Sequence, residues 1–219
     1  MVSEKPLLID VPGAGSVTAI RADPEGESGW QFIYAPGAGS NVHDQFGTFA
    51  CRMLAGREVA TVRFQFPYQE AGKKGPDRPP VLEATWRAVI EAVRSPDCRL
   101  VVGGRSMGGR IASQVVAEEE PVDALVLFAY PLHAPGKPDR RRDEHLPRVT
   151  VPALFCSGTS DAFGSPEEIE SAAVLAAHGS THFMEGADHG FNVKKASGRS
   201  RTDVWEEAVE AMWEWLSNL

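Results

Sequence analysis

Gly103-Gly104-Arg105-Ser106-Met107-Gly108-Gly109 is the stretch whose reading decides the fold. The apolar β-formers Leu100-Val101-Val102 lead into it. Arg110-Ile111-Ala112-Ser113-Gln114-Val115-Val116-Ala117 leads out and reads as a helix. Gly104-x-Ser106-x-Gly108 fits the strand–turn–helix corner that presents a serine nucleophile. Such a corner strains the serine backbone so that its hydroxyl projects from the end of the sheet. A side chain at Gly104 or Gly108 would crowd the turn, and glycine removes that clash. Met107 then falls on the first helical turn, where backbone N–H groups have no intrahelical acceptor. Such donors can stabilise an oxyanion. The pentapeptide also occurs as a plain connection, so its weight comes from its surroundings.

Upstream of the turn, Leu7–Ile9 and Gly15–Ile20 read as two short antiparallel strands joined at Pro12-Gly13-Ala14-Gly15. Trp30–Ala35 is a strand running into Pro36-Gly37-Ala38-Gly39-Ser40. A helix over Asp44–Ala55, a strand over Glu58–Phe64, a long loop over Phe66–Pro80 and a helix over Val81–Val93 follow. Downstream, Asp123–Ala129 is a continuous apolar run, as expected of a strand covered on both faces. A second long loop covers Tyr130–Val149, and Ala153–Ser157 is the next strand. Ser165-Pro166 starts a helix that the spacing carries to about Ala177. Thr181–Met184 is a last short strand, and Thr202–Leu216 a closing helix. Strand and helix alternate from Trp30 onward. That pattern predicts right-handed crossovers, a mostly parallel sheet and helices on both faces.

The 219 residues suit one α/β domain, taken as 1–219, and 42% apolar content is enough for a core. No apolar run approaches the ~18 residues of a membrane span. Met1–Pro6 lacks the long apolar segment of a signal peptide, which makes the cytoplasm the default expectation. The net charge is −8. The short basic runs Lys73-Lys74 and Arg140-Arg141-Arg142 read as solvated loops, and no nucleic-acid partner is expected. Cys51, Cys98 and Cys156 are scattered and odd in number, suggesting neither a zinc site nor a disulfide framework. Trp205 and Trp213 fall near one face of the closing helix and read as core. Trp215 points elsewhere, toward a contact surface or solvent, and oligomeric state stays open.

In an open α/β sheet, ligands sit beyond the carboxyl ends of the strands. Four suggestive segments follow such ends: the loop around Ala38, the Ser106 turn, Gly158-Thr159-Ser160-Asp161 and Gly186-Ala187-Asp188-His189-Gly190. A serine hydroxyl needs a base, and the base needs a carboxylate to fix its tautomer. Ser106, Asp161 and His189 supply these types in the order Ser, Asp, His. Asp188 is a rival acid. Adjacency to His189 makes it a worse orienter, because neighbouring side chains on an extended segment point apart. His178 and His182 are four apart, but Gly179 is expected to break a helix between them, so no metal pair is expected. Pro36–Ser40 also resembles a phosphate loop. It lacks a Lys-Ser/Thr end, and no acidic residue is placed for a dinucleotide ribose, so no cofactor is expected. The N–H groups of Ala38 and Met107 are the expected oxyanion donors. Tyr68, Tyr130, His133 and Phe191, on loops over the site, are candidate substrate-contacting residues or packing groups.

These residues carry a family resemblance, which runs from Trp30 to the end of the chain. The carrying segments are Ala35-Pro36-Gly37-Ala38-Gly39, Phe66-Pro67-Tyr68, Gly104–Gly109, Tyr130-Pro131-Leu132-His133, Ser157–Gly164 and Gly186–His189. The chain resembles a small α/β-hydrolase of the dienelactone-hydrolase-like branch. Within it, the chain is similar to compact bacterial hydrolases related to a testis-expressed vertebrate protein. The resemblance implies Ser106 as nucleophile, Asp161 as acid, His189 as base, and Ala38 and Met107 as oxyanion donors. Dienelactone hydrolases proper use a cysteine nucleophile, whereas this chain has Ser106, so a dienelactone is not the expected substrate. Only about 20 residues separate Tyr130 from the strand at Ala153, too few for a large helical cap. The expected function is cleavage of a carboxylic ester or related acyl bond in a small molecule. The alternatives are acyl transfer or thioester cleavage on the same residues, or a binding protein that keeps the fold.

Overall fold

The computed structural model describes residues 2–219. β1 (Ser3–Val11) and β2 (Gly15–Asp23) pair antiparallel at one edge, and β2 pairs antiparallel with β4 (Val59–Phe64). β3 (Trp30–Ala35), β4, β5 (Arg99–Arg105), β6 (Ala124–Phe128), β7 (Pro152–Gly158) and β8 (His178–Met184) are parallel. The sheet has eight strands in the order β1-β2-β4-β3-β5-β6-β7-β8. The hairpin is longer than its apolar residues predict, with pairing from Ser3↔Asp23 to Val11↔Gly15. Its open end is tied down by Glu4, whose carboxylate accepts from Arg52 and Arg63. Arg52 first, against the cost of burial and with help from Arg63, draws that carboxyl down to about 2.

The helices are α1 (Gln45–Ala55), a single turn α2 (Pro67–Glu70), α3 (Pro79–Val93), α4 (Met107–Ala117), α5 (Pro166–Ala173) and α6 (Arg201–Ser217). Alternation along each central strand sends side chains to two cores. Ile33, Val62, Val102, Leu127 and Phe155 face α3, α4 and α5, where the Phe64 and Trp86 rings meet edge to face at 4.8 Å. Phe32, Val101, Phe128 and Leu154 face α1 and α6. There Phe46 lies 4.9 Å from Phe128 and 5.1 Å from Phe191. Trp205 is buried in that core, and Trp213 and Trp215 both pack half-buried against it. Trp215 is therefore more enclosed than its helical position predicts.

Two further expectations need correction. The stretch Phe66–Pro80 is not all loop, since α2 forms within it and α3 begins at Pro79, where the missing proline N–H costs nothing. His178 and His182 both lie on β8, which starts three residues earlier than the apolar pattern suggests. Gly179 is a strand residue there, and a Cβ on it would sit 1.9 Å from the Ala173 carbonyl oxygen. It allows close approach of two backbones rather than ending a helix. His182 Nε2 is 3.2 Å from Glu207, while His178 is exposed. The three cysteines are free, two of them buried, and burial pushes the Cys51 thiol up to about 12. Among the described residues no helix is long and apolar enough to cross a membrane.

The loop 130–149 is pinned to α4 by a buried polar contact. Ser113 Oγ lies 2.7 Å from His145 Nε2. Burial, followed by the charges of Arg110 and Arg148, holds the His145 imidazole down to about 4 against the opposing pull of Asp143. The folded pKa is below the unfolded value of about 6.5. The contribution to stability is therefore complete above about pH 6.5 and is lost as pH falls toward 4. At ~1.4 kcal/mol per pH unit, the full loss is about 3 kcal/mol. Urea unfolding at pH 7.5 and 4.5 checks this: His145→Gln should lose less stability across that interval than the parent.

Candidate active site

β3 is flanked by β4 on one side and β5 on the other, so the strand order reverses between β3 and β5. The chain leaving β3 turns to α1 on one face, while the chain leaving β5 turns to α4 on the other. A crevice opens where the two connections part. Pro36–Ser40 follows β3 and Ser106 follows β5, so both stand at this crevice. The loops after β7 and β8, which carry Asp161 and His189, end at the same edge.

Ser106 has φ 51° and ψ −119°, a left-handed conformation that a serine adopts at a cost of roughly 1–3 kcal/mol. The strain is held by the surroundings. The Ser106 N–H donates to Phe128 O at 2.8 Å, and the Ser106 carbonyl accepts the first α4 hydrogen bond from Arg110 at 3.0 Å. Gly108 lets α4 reach the end of β3, since a Cβ there would sit 2.3 Å from Ala35 O and 2.6 Å from Pro36 O.

Ser106 Oγ lies 2.9 Å from His189 Nε2, and His189 Nδ1 lies 2.8 Å from Asp161 Oδ2. Asp161 is 6% exposed, while Ser106 and His189 are half-buried and reach the cleft. The second Asp161 oxygen accepts from the Phe163 N–H at 2.8 Å, so both carboxylate oxygens are engaged. With Nδ1–H donated to Asp161, Nε2 is the acceptor for the Ser106 hydroxyl. The two loops are tied together by the Ser160 N–H on Ala187 O and the Gly186 N–H on Thr159 Oγ1. Asp188 is occupied within its own turn. Its carboxylate accepts from the N–H groups of Gly190 and Asn192 and from the Asn192 amide, while His189 Nδ1 is taken by Asp161.

The cleft over Ser106 has a volume of about 330 Å³ and is walled by Gly37–Ser40, Asp44, Arg105, Ser106 and His189. Ala38 is exposed in that wall, and Met107 is the first residue of α4, with no intrahelical acceptor for its N–H. Tyr68, Tyr130, His133 and Phe191 do not line this cleft. Tyr68 OH donates to Ala38 O at 2.8 Å and supports the loop from behind. Tyr130 is buried against Phe155 and donates to Arg142 O. His133 is buried, with Nδ1 near Ala134 O and Nε2 near Glu168, and its N–H donates to Phe163 O at 3.0 Å. Phe191 is fully buried in the α1/α6 core. Loop aromatics beside a cleft are drawn inward by the apolar area they bury, so all four pack within the loops and away from the wall of the Ser106 cleft.

Two residues that frame the site carry no motif of their own. Phe163 stacks on the His189 ring, with centroids 4.0 Å apart and planes 24° apart. Arg105 Nη2 donates to His189 O at 2.9 Å, and its guanidinium carbon lies 5.6 Å over the Phe191 ring. Its Nε is buried without a hydrogen-bond partner among the described residues. Both lie inside segments that carry the resemblance, with no role of their own there; the signal is position, since Arg105 immediately precedes Ser106 and Phe163 lies two residues after Asp161. Among the described residues no cluster of three or more His, Cys, Asp or Glu side chains is arranged to hold a metal ion.

Comparison with known proteins places these features in a family. The family model described as "Alpha/beta hydrolase domain" matches residues 28–217. A serine hydrolase without a lid from Xanthomonas campestris has a similar structure, with a TM-score of 0.76 and 22% identity over 97% of this chain and 95% of that one. A serine hydrolase homologue from Coxiella burnetii superposes with a TM-score of 0.75 and 20% identity, covering 94% of this chain and 96% of that one. Est1E from Butyrivibrio proteoclasticus with bound ferulic acid gives 0.77 and 17%, covering 96% and 99%.

Proposed function

The chain belongs to the α/β-hydrolase family, and from that premise we propose that it is a serine hydrolase that cleaves a carboxylic ester or related acyl bond of a small molecule. The observation that carries this reading is the unbroken hydrogen-bonded run from Ser106 Oγ through His189 to Asp161, at 2.9 and 2.8 Å. Ser106 Oγ attacks the acyl carbon while His189 Nε2 takes its proton. The carbonyl oxygen becomes an oxyanion facing the N–H groups of Ala38 and Met107. The tetrahedral species collapses as His189 returns the proton to the leaving oxygen, and the acyl group stays on Ser106. Water, deprotonated by His189, attacks the acyl-enzyme, releases the acid and restores the Ser106 hydroxyl. Asp161 holds the imidazole tautomer and stabilises its cation.

The reading treats residues 1–219 as one domain. The segments Ser157–Gly164 and Gly186–His189 support the dienelactone-hydrolase-like branch, near compact bacterial hydrolases related to a testis-expressed vertebrate protein. Acyl transfer and thioester cleavage would use the same residues, and competing acceptor alcohols and thioester substrates separate them. A fluorophosphonate probe tests the central claim. It should label Ser106, located by mass spectrometry of the digested peptide. No label, or a label on another residue, would overturn the reading.

Arg105 acts here as a positioning residue, since it holds the backbone of the residue that carries the base. Losing a hydrogen bond to a charged donor costs ~1.5–3 kcal/mol. Arg105→Met is expected to lower kcat more than tenfold with KM little changed, and Arg105→Lys to recover part of it. Steady-state kinetics on a short-chain aryl ester measure both.

A further inference from the structure

The wall formed by Ala38, Gly39 and Ser40 has a second side. Beyond it lies a pocket of about 440 Å³, lined by the same three residues together with Asn41, Tyr68, Gln69, Gly72, Lys73 and Lys74. The pocket is thus separated from the Ser106 cleft only by the rim of the loop that carries Ala38. That rim is held firmly. Tyr68 OH donates to Ala38 O, and the Gln69 amide donates to Gly37 O and Ser40 O. Because α2 supplies both donors, the Lys73-Lys74 turn that follows it has a fixed place relative to the rim. The Lys73 N–H donates to Tyr68 O at 2.8 Å, which fastens the turn back onto α2.

Both lysines are exposed, and among the described residues neither makes an ion pair. Their nearest carboxylates in the chain are committed elsewhere. Glu70 accepts from Thr18 and Gln65, and Asp77 accepts from the Tyr68 N–H. In a chain of net charge −8, two adjacent ammonium groups thus border a pocket next to the reactive serine with no direct ion pair among the described residues. The Ser106 cleft itself is small, about 330 Å³. Its lining includes Ser40, Asp44, Arg105 and His189, and the only apolar side chain among its lining residues is the methyl of Ala38. It offers little to a long acyl chain, and a substrate that outgrows it can continue over the rim.

We propose that the Lys73–Lys74 pocket binds an anionic group, carboxylate or phosphate, at the far end of a substrate whose acyl carbon sits at Ser106. This inference rests on the serine-hydrolase reading above and adds the substrate class. Ammonium groups on flexible stems pair with either anion as point charges, without the bidentate geometry of arginine.

The test uses the intact chain and matched ester pairs that differ in one terminal group. On the acyl arm, the pair is the 4-nitrophenyl monoester of glutaric acid and 4-nitrophenyl valerate. On the alcohol arm, it is 4-carboxyphenyl acetate and 4-carbamoylphenyl acetate. The readout is the ratio of kcat/KM for the anionic ester to that for its neutral partner. One arm is expected to favour the anion about tenfold, as two partly screened ion pairs allow. That preference should fall as salt rises and be lost in Lys73→Glu/Lys74→Glu. Lys5→Glu/Arg94→Glu makes the same change in net charge at the opposite end of the sheet and should leave the ratio as it was. No preference in either arm would overturn the proposal. So would a preference that survives Lys73→Glu/Lys74→Glu, or one that the distant pair abolishes equally. A phosphonate in place of the terminal carboxylate identifies which anion fits better, and preference for either supports the pocket.

Binding separates this proposal from the chemistry. Ser106→Ala cannot form the acyl-enzyme, yet by calorimetry it should bind monomethyl glutarate more tightly than methyl valerate. That difference should vanish when Lys73→Glu/Lys74→Glu is added. Charge-selective binding without turnover in the parent would sink the hydrolase reading and keep the pocket. Turnover without charge selectivity would do the reverse.

Discussion

Ser106→Ala is expected to reduce ester hydrolysis by about 10⁵-fold or more and to abolish fluorophosphonate labelling, while the protein stays folded. The size follows from the geometry. A serine, a base at 2.9 Å and an acid at 2.8 Å behind the base act as one unit, and removing the nucleophile removes the covalent route altogether. What remains is the residual effect of the oxyanion donors and of binding, ~10³–10⁴-fold over water. Folding should be preserved because the backbone contacts of residue 106, to Phe128 O and from Arg110, do not involve the hydroxyl. Alanine occupies the same strained φ of 51° at no greater cost than serine. Asp161→Asn sharpens the experiment. The amide preserves the packing of a residue that is 6% exposed but presents the wrong donor to Nδ1. A fall of roughly 10⁴ in kcat is expected. Turnover surviving Ser106→Ala would show that the base and acid serve another nucleophile. Full activity in Asp161→Asn would reopen the assignment of the acid.

Gly108→Ala is expected to destabilise the protein strongly and to disturb the site at the same time. The added methyl would lie 2.3 Å from Ala35 O and 2.6 Å from Pro36 O, both backbone atoms, so no side-chain rotation relieves the contact. Either α4 lifts away from the end of β3 or β3 itself shifts, and each option opens the core around Ile111 and Val102. A cost of about 3 kcal/mol or more is expected, at the upper end for overpacking. Moving α4 also displaces Ser106 and the Met107 N–H, so activity should fall in whatever fraction still folds. Gly29→Ala is the control. It has no neighbour within 4 Å of its added methyl, so a change within about 0.5 kcal/mol is expected. Urea unfolding of both variants checks the pair. Equal stability would mean that the α4–β3 approach is looser than its geometry.

Much of the architecture was legible because it depends on local rules. Apolar runs separated by helical periodicity from Trp30 onward imply parallel strands and crossover helices. Glycine, serine and glycine at one strand end imply the corner at Ser106. The order Ser106, Asp161, His189 placed three chemically suited groups at strand ends that the topology brings together. The β8 start at His178 was hidden, since residues 178–182 are half-exposed and polar and have no apolar alternation to read. The short α2 was hidden too, being a single turn held by the Gln69 side chain on the Phe66 N–H.

Side-chain direction is what the chain order could not give. Tyr130, His133 and Phe191 sit in loops at the right end of the sheet, and their positions suit contact with substrate as well as packing. The tertiary structure turns them inward, because burying a large ring against Phe155 or Phe46 is favourable only once those partners are in place. It also gives Arg105 its place under His189, Phe163 its place on the imidazole ring, and Lys73 and Lys74 a pocket beside the serine. The sequence by itself determined which groups could do chemistry and at which strand ends they stand, since periodicity and glycine sterics act over a few residues. Only the tertiary structure decided which of them meet at hydrogen-bond distance and what faces the cleft, since those contacts join residues as far apart as Arg105 and His189 and exist only when the sheet has closed between them.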